Sequence, residues 1–242
     1  LDIVGERSDL TYWSFGLKEG DISPKTLHLD AGGVTGEIRT PCGDVRLNSS
    51  LVGRHNVENS LAAIGCALAL GIDIASIESG LSALSGVPGR VESVENELGI
   101  SIFVDYAHTP DAIVSVGKVL RELTGGRLIL VFGCGGDRDA GKRPEMAKSA
   151  SDVADLVIAT TDNPRSESPE AILEQVSPGL KPDGLVIVDR REAIGTAIRL
   201  ANKGDVVLIA GKGHETTQEV DGIRHHFDDR EVARLVLKEL VL

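Results

Sequence analysis

Five short stretches of this sequence concentrate charge, histidine and glycine. They read Asp105-Tyr106-Ala107-His108-Thr109-Pro110, Gly133-Cys134-Gly135-Gly136-Asp137-Arg138-Asp139, Asp162-Asn163-Pro164-Arg165, Asp189-Arg190 and Gly211-Lys212-Gly213-His214-Glu215. Arg138 and Arg165 offer planar guanidinium forks that match carboxylates. Glu215, Asp137 and Asp139 offer partners for ammonium groups. Brought to one place, the two signs suit a zwitterion, meaning an amino acid. Mutual pairing of surface charges accounts for part of the set, but not for the glycines and prolines that fix its geometry.

The glycine-rich stretch contains Gly136 to Lys142, which fits G-x-x-x-x-G-K. A P-loop then needs Ser or Thr to ligate magnesium, and the next residue is Arg143. Asp137 and Asp139 would also repel phosphates. No G-x-G-x-x-G fingerprint occurs there either, so a dinucleotide cradle is equally poorly supported.

The elements around these stretches explain how they could meet. Five apolar runs precede them: Ile102 to Val104, Leu128 to Phe132, Leu156 to Ala159, Leu185 to Val188 and Val206 to Ala210. Continuous apolar strands imply burial on both faces, as in parallel sheets. Helical spacing between them, as in Ile113, Val116, Leu120 and Leu123, predicts right-handed βαβ crossovers and an α/β, Rossmann-like, doubly wound, mostly parallel sheet. Ligands bind such sheets beyond the carboxyl ends of the strands, where all five stretches fall. A closing helix is expected over 229–240, with Val232, Leu235, Val236 and Leu240 inward.

The first part differs in texture. Residues 24–50 read as short strands with turn punctuation. Asn59 to Ile72 is apolar almost all round and predicts a buried helix. Asp73 is the expected N-cap of a second helix carrying Ile74, Ile77, Leu81 and Leu84. Val87-Pro88-Gly89 stops it, which places a domain boundary near residue 91, between 1–91 and 92–242.

Composition narrows the function classes. The 242 residues are 41% hydrophobic and 26% charged, an ordinary globular balance. Aromatics are only 3%, so Val, Ile, Leu and Ala must build the core. A formal charge of −12 argues against a nucleic-acid or anionic-membrane partner, each of which needs a basic face. Cys42, Cys66 and Cys134 are too few and too scattered for a disulfide framework or zinc site and fit a reducing cytosol. No apolar run reaches the roughly 20 residues of a membrane span, and no signal peptide is evident. A cytoplasmic location is expected. The first residue is Leu1, which suggests a piece of a longer chain.

The motifs HNVEN at 55 to 59, GR at 89 to 90, DYAHTPDA at 105 to 112, GCGGDRDAGKRP at 133 to 144, DNPR at 162 to 165 and GKGHE at 211 to 215 resemble, in family order, the Mur ligases of bacterial cell-wall synthesis. The likeness is strongest to the branch adding the third amino acid to UDP-N-acetylmuramoyl-L-alanyl-D-glutamate. It implies a peptidoglycan-synthesis ligase that uses ATP and Mg²⁺ in its full-length form. An acyl phosphate forms on the substrate carboxylate, and an incoming amine attacks it. The chain resembles the last part of the central ATPase domain followed by the C-terminal domain. The family's P-loop, its carbamylated lysine and its UDP-sugar domain have no counterpart here, so this piece is expected to be inactive alone.

The resemblance assigns nucleotide contacts to His55, Asn56, Asn59, Arg90, Asp105 and His108. Asn59 equally fits an N-cap, and His108 equally fits a role in ordering its loop. It assigns the amino acid to Arg138, Asp162, Asn163, Pro164, Arg165, Gly211 and Glu215. DNPR marks family members that use meso-diaminopimelate. Arg165 would bind the distal carboxylate and Glu215 the distal ammonium. The other implied partner is the UDP-N-acetylmuramoyl-dipeptide, with no nucleic acid and no membrane. Lys142, Arg143, Lys212 and His214 receive no assigned role, although ordering the Gly-rich loop would account for Lys212 and His214. A folylpolyglutamate- or cyanophycin-type ligase and a non-catalytic amino-acid-binding module are the alternatives.

Overall fold

A computed structural model describes residues 10–241. The chain forms two compact units, one ending at Ser85 and one beginning at Gly86.

The first unit holds an antiparallel sheet of β1 (Ser23–Asp30), β2 (Gly33–Arg39) and β3 (Val45–Ser49), followed by α1 (Arg54–Ala69) and α2 (Ile74–Ala83). Alternation along β3 buries Val45, Leu47 and Ser49 and leaves Arg46 and Asn48 outward. The inward residues join Val57, Leu61, Ile64 and Leu68 of α1 in one apolar cluster. Two expectations need correction. Helix α1 begins at Arg54 with Gly53 as its cap, so Asn59 lies inside the helix and is not an N-cap. The helix is also not buried all round, because Ala63, Cys66 and Ala69 are exposed. Asp73 does cap α2, accepting a hydrogen bond from the Ser76 amide at 2.9 Å. Residues 1–9, within the expected first domain, lie outside the described residues.

The second unit is built on a six-stranded sheet. Its elements are β4 (Glu92–Val94), β5 (Ser101–Asp105), α3 (Pro110–Glu122), β6 (Leu128–Cys134), α4 (Lys142–Val153), β7 (Leu156–Thr161), α5 (Pro169–Val176), β8 (Leu185–Val186), α6 (Arg190–Leu200) and β9 (Val206–Ala210). A hairpin of β10 (Thr217–Val220) and β11 (Ile223–His226) follows, then α7 (Asp229–Val241). The strand order is β4-β5-β9-β6-β7-β8, parallel except for β4, which runs antiparallel along one edge. The five apolar runs are all strands, although the fourth is regular only over Leu185–Val186, with Ile187 and Val188 still bonded to β7 at 3.0 and 3.4 Å.

Strand alternation divides the core into two layers. Ile102, Val104, Ile129, Val131, Val207 and Ile209 face Ala193, Ile194 and Ala197 of α6 and Val232, Ala233 and Val236 of α7. The intervening residues, such as Phe103, Leu130, Phe132 and Leu208, are equally buried towards the opposite face. There α3, α4 and α5 pack side by side. Leu235 and Leu240 of α7 were expected inward but are 44% and 43% exposed; Ala233 and Leu237 take the inner face instead.

This winding creates the functional edge. Helices α3 to α5 carry the chain from β5 outward to β8 on one face. Helix α6 then returns it on the other face, inserting β9 between β5 and β6. The direction of winding reverses there, so the loops after β5, β9 and β6 splay apart and leave a crevice.

Candidate functional site

A cleft of about 370 Å³ opens at that reversal, lined by the loops after β5, β6, β7 and β9. Four of the five stretches picked out from the sequence meet in it. The fifth does not: Asp189 caps α6 by accepting from the Glu192 amide at 2.7 Å. Arg190 is fully buried beneath the strand ends, where Nε and Nη2 donate to the two oxygens of Asp229 at 2.8 and 2.7 Å. Nη2 also reaches the Ala210 carbonyl at 3.0 Å, at the end of β9. Arg190 is therefore an anchor of the sheet edge and not a ligand contact.

The loops after β6 and β7 are cross-linked into one body. The Gly136 amide donates to the Asn163 carbonyl at 2.9 Å, and Arg165 Nη1 donates back to the Gly136 carbonyl at 2.6 Å. A Cβ on Gly136 would lie 1.8 Å from the Pro164 carbonyl oxygen, so only glycine permits this approach. Below them Arg143, 2% exposed, holds Glu167 with both terminal nitrogens and also reaches Gln175 and the Gly135 carbonyl. The Arg143 guanidinium and the Asp137 amide hold the Glu167 carboxyl down at about 2. The position that a P-loop would give to a hydroxyl thus carries a structural arginine. Asp137 accepts from the Ser166 hydroxyl and Asp139 from the Gly141 amide, so these carboxylates help to close their own loops.

The β10–β11 hairpin clamps DNPR from the other side. The Arg165 amide donates to the Glu219 carbonyl at 3.0 Å, and the Asp221 amide donates to the Arg165 carbonyl at 2.7 Å. The Glu219 amide reaches Asn163 Oδ1 at 3.0 Å, and Gln218 Nε2 reaches the Asp162 carbonyl at 2.7 Å. Held this way, Arg165 adopts φ 55°, a left-handed conformation that costs a non-glycine residue about 1–2 kcal/mol. Strain of this kind persists only where surrounding bonds over-determine it.

The cleft carries both signs of charge. Arg138, Lys142, Arg143 and Arg165 line it together with Asp139, Asp162 and Glu215. Asp162 is 9% exposed, and its carboxylate oxygens accept no hydrogen bond among the described residues. Burial, with Asp229 and Glu215 nearby, raises its affinity for a proton, against the pull of Arg190 and Lys212. Gly211, at φ 117°, gives it room, since a Cβ there would lie 2.7 Å from Asp162 Oδ2. Glu215 accepts from Asn163 Nδ2 at 3.0 Å and from Lys212 Nζ at 3.3 Å. Pro164, buried, shapes the loop backbone and offers no polar side chain. Cys134 closes the floor; burial pushes its thiol up to about 12, so it is a neutral wall.

At the mouth, Tyr106 organises three groups. Arg90 lies over its ring with 5.5 Å from guanidinium to centroid. His108 meets it edge-on at 4.7 Å and His214 at 5.4 Å. His108 Nδ1 is 2.7 Å from the Tyr106 carbonyl, so that nitrogen carries the donated hydrogen and Nε2 is left to face outward. Asp105 is buried and accepts from the amides of Val91 and Ala107, both at 2.8 Å. Gly89, at φ 68°, lets the loop before β4 come against His214, where a Cβ would be 2.2 Å from its amide nitrogen. This packing is why Gly89 and Arg90 belong to the second unit.

The remaining three candidates sit in the first unit, near the start of α1. His55 and Asn59 are exposed. Asn56 Nδ2 donates to the Val52 carbonyl at 2.8 Å, and Asn59 Nδ2 donates to Asn56 Oδ1 at 3.2 Å. Among the described residues no group of three or more His, Cys, Asp and Glu side chains has the geometry to hold a metal.

Sequence reasoning left Lys212, Arg143 and Tyr106 without roles. The available signal for Lys212 was its place between two glycines at the end of a fully apolar strand, where a charge must have a buried partner.

Known proteins resemble this chain in both sequence and fold. Residues 89–213 match the family described as Mur ligase, glutamate ligase domain, and residues 3–67 match the Mur ligase middle domain. A UDP-N-acetylmuramoyl-L-alanyl-D-glutamate–2,6-diaminopimelate ligase of Thermosynechococcus vestitus is 47% identical over 94% of this chain and 47% of its own length. The enzyme of the same name from Bacillus licheniformis is also 47% identical, over 92% and 46%. A solved structure under that name superposes with TM-score 0.75 at 40% identity, covering 93% of this chain and 47% of the other. The folylpolyglutamate synthase of Mycobacterium tuberculosis shares the fold, with TM-score 0.59 at 21% identity over 79% of this chain and 45% of the other. The chain spans about half the length of the curated relatives it matches.

Proposed function

The chain belongs to the Mur ligase family, and we propose that it is the amino-acid-accepting portion of a ligase that joins meso-diaminopimelate to UDP-N-acetylmuramoyl-L-alanyl-D-glutamate. The first unit is then the end of the central ATPase domain, and the second is the C-terminal amino-acid-binding domain.

The observation carrying this reading is that both signs of charge line one cleft. Arg165, fixed in a strained backbone by the hairpin, presents its fork beside Gly136 for a distal carboxylate. Asp162 and Glu215, with Asn163 between them, take the distal ammonium. Arg138 is free to hold the second carboxylate. An amino acid so gripped at its far end presents its other amine towards the open mouth. Holding the nucleophile in one orientation supplies much of the rate in such a transfer. Lysine lacks the distal carboxylate and would leave Arg165 desolvated and unpaired. A site built around such a group can discriminate by about 10⁴-fold.

ATP, when bound, supplies the activation of the accepting carboxylate. The family likeness offers Arg90, Asp105 and His108 of the second unit to a nucleotide and, separately, His55, Asn56 and Asn59 of the first; magnesium would accompany ATP in the full-length enzyme. The names of the relatives support the diaminopimelate reading over a folylpolyglutamate- or cyanophycin-type ligase, as does the arginine in DNPR.

Calorimetric titration with meso-diaminopimelate and L-lysine tests the proposal on the chain and on Arg165→Ala. Binding of the first alone, lost in the variant, is the expected result. Lysine binding as tightly as meso-diaminopimelate would overturn the substrate assignment.

A further inference from the structure

Lys212 is 0% exposed, yet nothing in the proposed reaction uses it. Its ammonium lies 3.1 Å from Asn163 Oδ1 and 3.3 Å from Glu215 Oε2. Asn163 turns the same amide so that Nδ2 donates to Glu215 Oε2 at 3.0 Å, while its oxygen also accepts the Glu219 amide. With Lys212 on one side of Oδ1, the amide can hold only this orientation. Asn163 must then present Nδ2, and not its oxygen, to Glu215. The Glu215 amide in turn donates to the Lys212 carbonyl at 2.9 Å, so lysine and glutamate are locked in one turn.

Charge bookkeeping on the floor of the cleft adds a second argument. The groups facing Asp162 are Arg190 of α6, Asp229 of α7, Lys212 and Glu215 of the loop after β9, and the neutral thiol of Cys134 at the end of β6. Arg190 is matched by Asp229. Lys212 alone stands against two carboxylates, Asp162 and Glu215, and Asp162 has no hydrogen-bond donor of its own. With both carboxyls ionised the floor is one positive charge short of neutrality, and a ligand ammonium between them would complete it. With Lys212 removed, Asp162 loses one of the two cations that oppose its uptake of a proton, and a protonated carboxyl is a poorer acceptor for an ammonium group.

We propose that Lys212 is a positioning and specificity-determining residue: it fixes Asn163 and Glu215 and sets its charge against Glu215 and Asp162 on the floor, so that the cleft selects a substrate with a second ammonium group. This deepens the amino-acid-binding reading above and rests on it for the identity of the ligand.

The test has one arm independent of any ligand. Carboxyl ¹³C resonances of Asp162 are followed against pH in the 242-residue chain and in Lys212→Met, Glu215→Gln and the double variant. Lys212→Met is expected to move the Asp162 titration up by about one pH unit or more. Adding Glu215→Gln should return it towards the wild-type value, because the floor regains its original net charge. A lysine that served only to fill space would show no such rescue. If Lys212→Met does not fold, Lys212→Gln, which keeps a polar head without the charge, takes its place and is expected to move the Asp162 titration in the same direction. An Asp162 that titrates identically in every folded variant overturns the proposal.

The second arm compares meso-diaminopimelate with 2-aminopimelate, which has the distal carboxylate but no distal ammonium. Wild type is expected to favour the former at least about tenfold, and Lys212→Met to lose most of that preference at pH 7 and regain it as pH rises. Undiminished discrimination in Lys212→Met overturns the specificity role. If wild type binds neither compound, the ligand assignment is what fails, and the titration arm still decides the role of Lys212.

Discussion

The guanidinium of Arg143 meets the carboxylate of Glu167 with Nη1 and Nη2, at 2.9 and 2.8 Å, and so joins the first turn of α4 to the loop that carries DNPR. The pair has a pH signature. Glu167 titrates near 2 in the folded chain against an ordinary value of 4.5. A carboxyl lowered on folding stabilises the fold above its unfolded pKa, and that contribution disappears as pH falls through the folded value. Glu167→Gln is therefore expected to melt below wild type at pH 5 and above, with the gap closing between pH 4.5 and about 2. Parallel melting curves across that window would show that the pair adds nothing to stability.

The Arg190–Asp229 pair is expected to matter more. Both side chains are wholly buried, and Arg190 also ties down the end of β9. Asp229→Ala leaves an uncompensated charge in the core, a change that costs about 3–5 kcal/mol. Urea denaturation should show a lower midpoint with an unchanged slope.

Arg165 separates strain from recognition. Its backbone favours glycine, so Arg165→Gly is expected to be about 1 kcal/mol more stable than Arg165→Ala. Neither variant retains a fork for a carboxylate, and both should lose preference for meso-diaminopimelate over lysine. Equal stability of the two would show that the hairpin imposes no strain there.

Gly136 and Gly222 make a contrast of the same kind. Alanine at Gly136 drives a methyl into the Pro164 carbonyl, which displaces DNPR and costs about 1–3 kcal/mol. Gly222, at φ 74° in the β10–β11 turn, has open space around it, so alanine there meets only the backbone penalty of about 1 kcal/mol. Amino-acid binding should fall in the first variant and persist in the second.

Thiol labelling checks the floor of the cleft. Cys42 and Cys66 are exposed, whereas Cys134 is buried with its thiol pushed up to about 12. Iodoacetamide at pH 8 should modify the first two and reach Cys134 only on unfolding, as mass spectrometry of the peptides would report. Rapid labelling of Cys134 in the folded chain would show a more open floor than the one described.

Much of this protein could be read from its residues in order. Five apolar runs without alternation mark strands buried on both faces, and helical spacing between them dictates parallel crossovers. Local chemistry also located one helix start: Asp73 was expected as an N-cap and caps α2, whereas Thr109 and Asp189, read only as parts of charged stretches, turn out to cap α3 and α6. The four stretches that form the cleft were legible because the carboxyl ends of parallel strands must share an edge.

Tertiary structure decided what distance along the chain conceals. Leu235 and Ala233 of α7 exchange expected roles because the inner face is chosen by the packing of α6 and the sheet, not by which residue is larger. Among the charged residues, Arg190 and Arg165 look alike in the sequence, each ending a loop of similar composition. One meets Asp229 under the sheet and becomes an anchor; the other is turned outward by a hairpin more than fifty residues away, as the bond from its amide to Glu219 shows. The same holds for Lys212. Its type and position mark a buried charge, but only the fold brings Asn163 and Glu215 to it, because the partner of a buried charge is set by which loops share an edge.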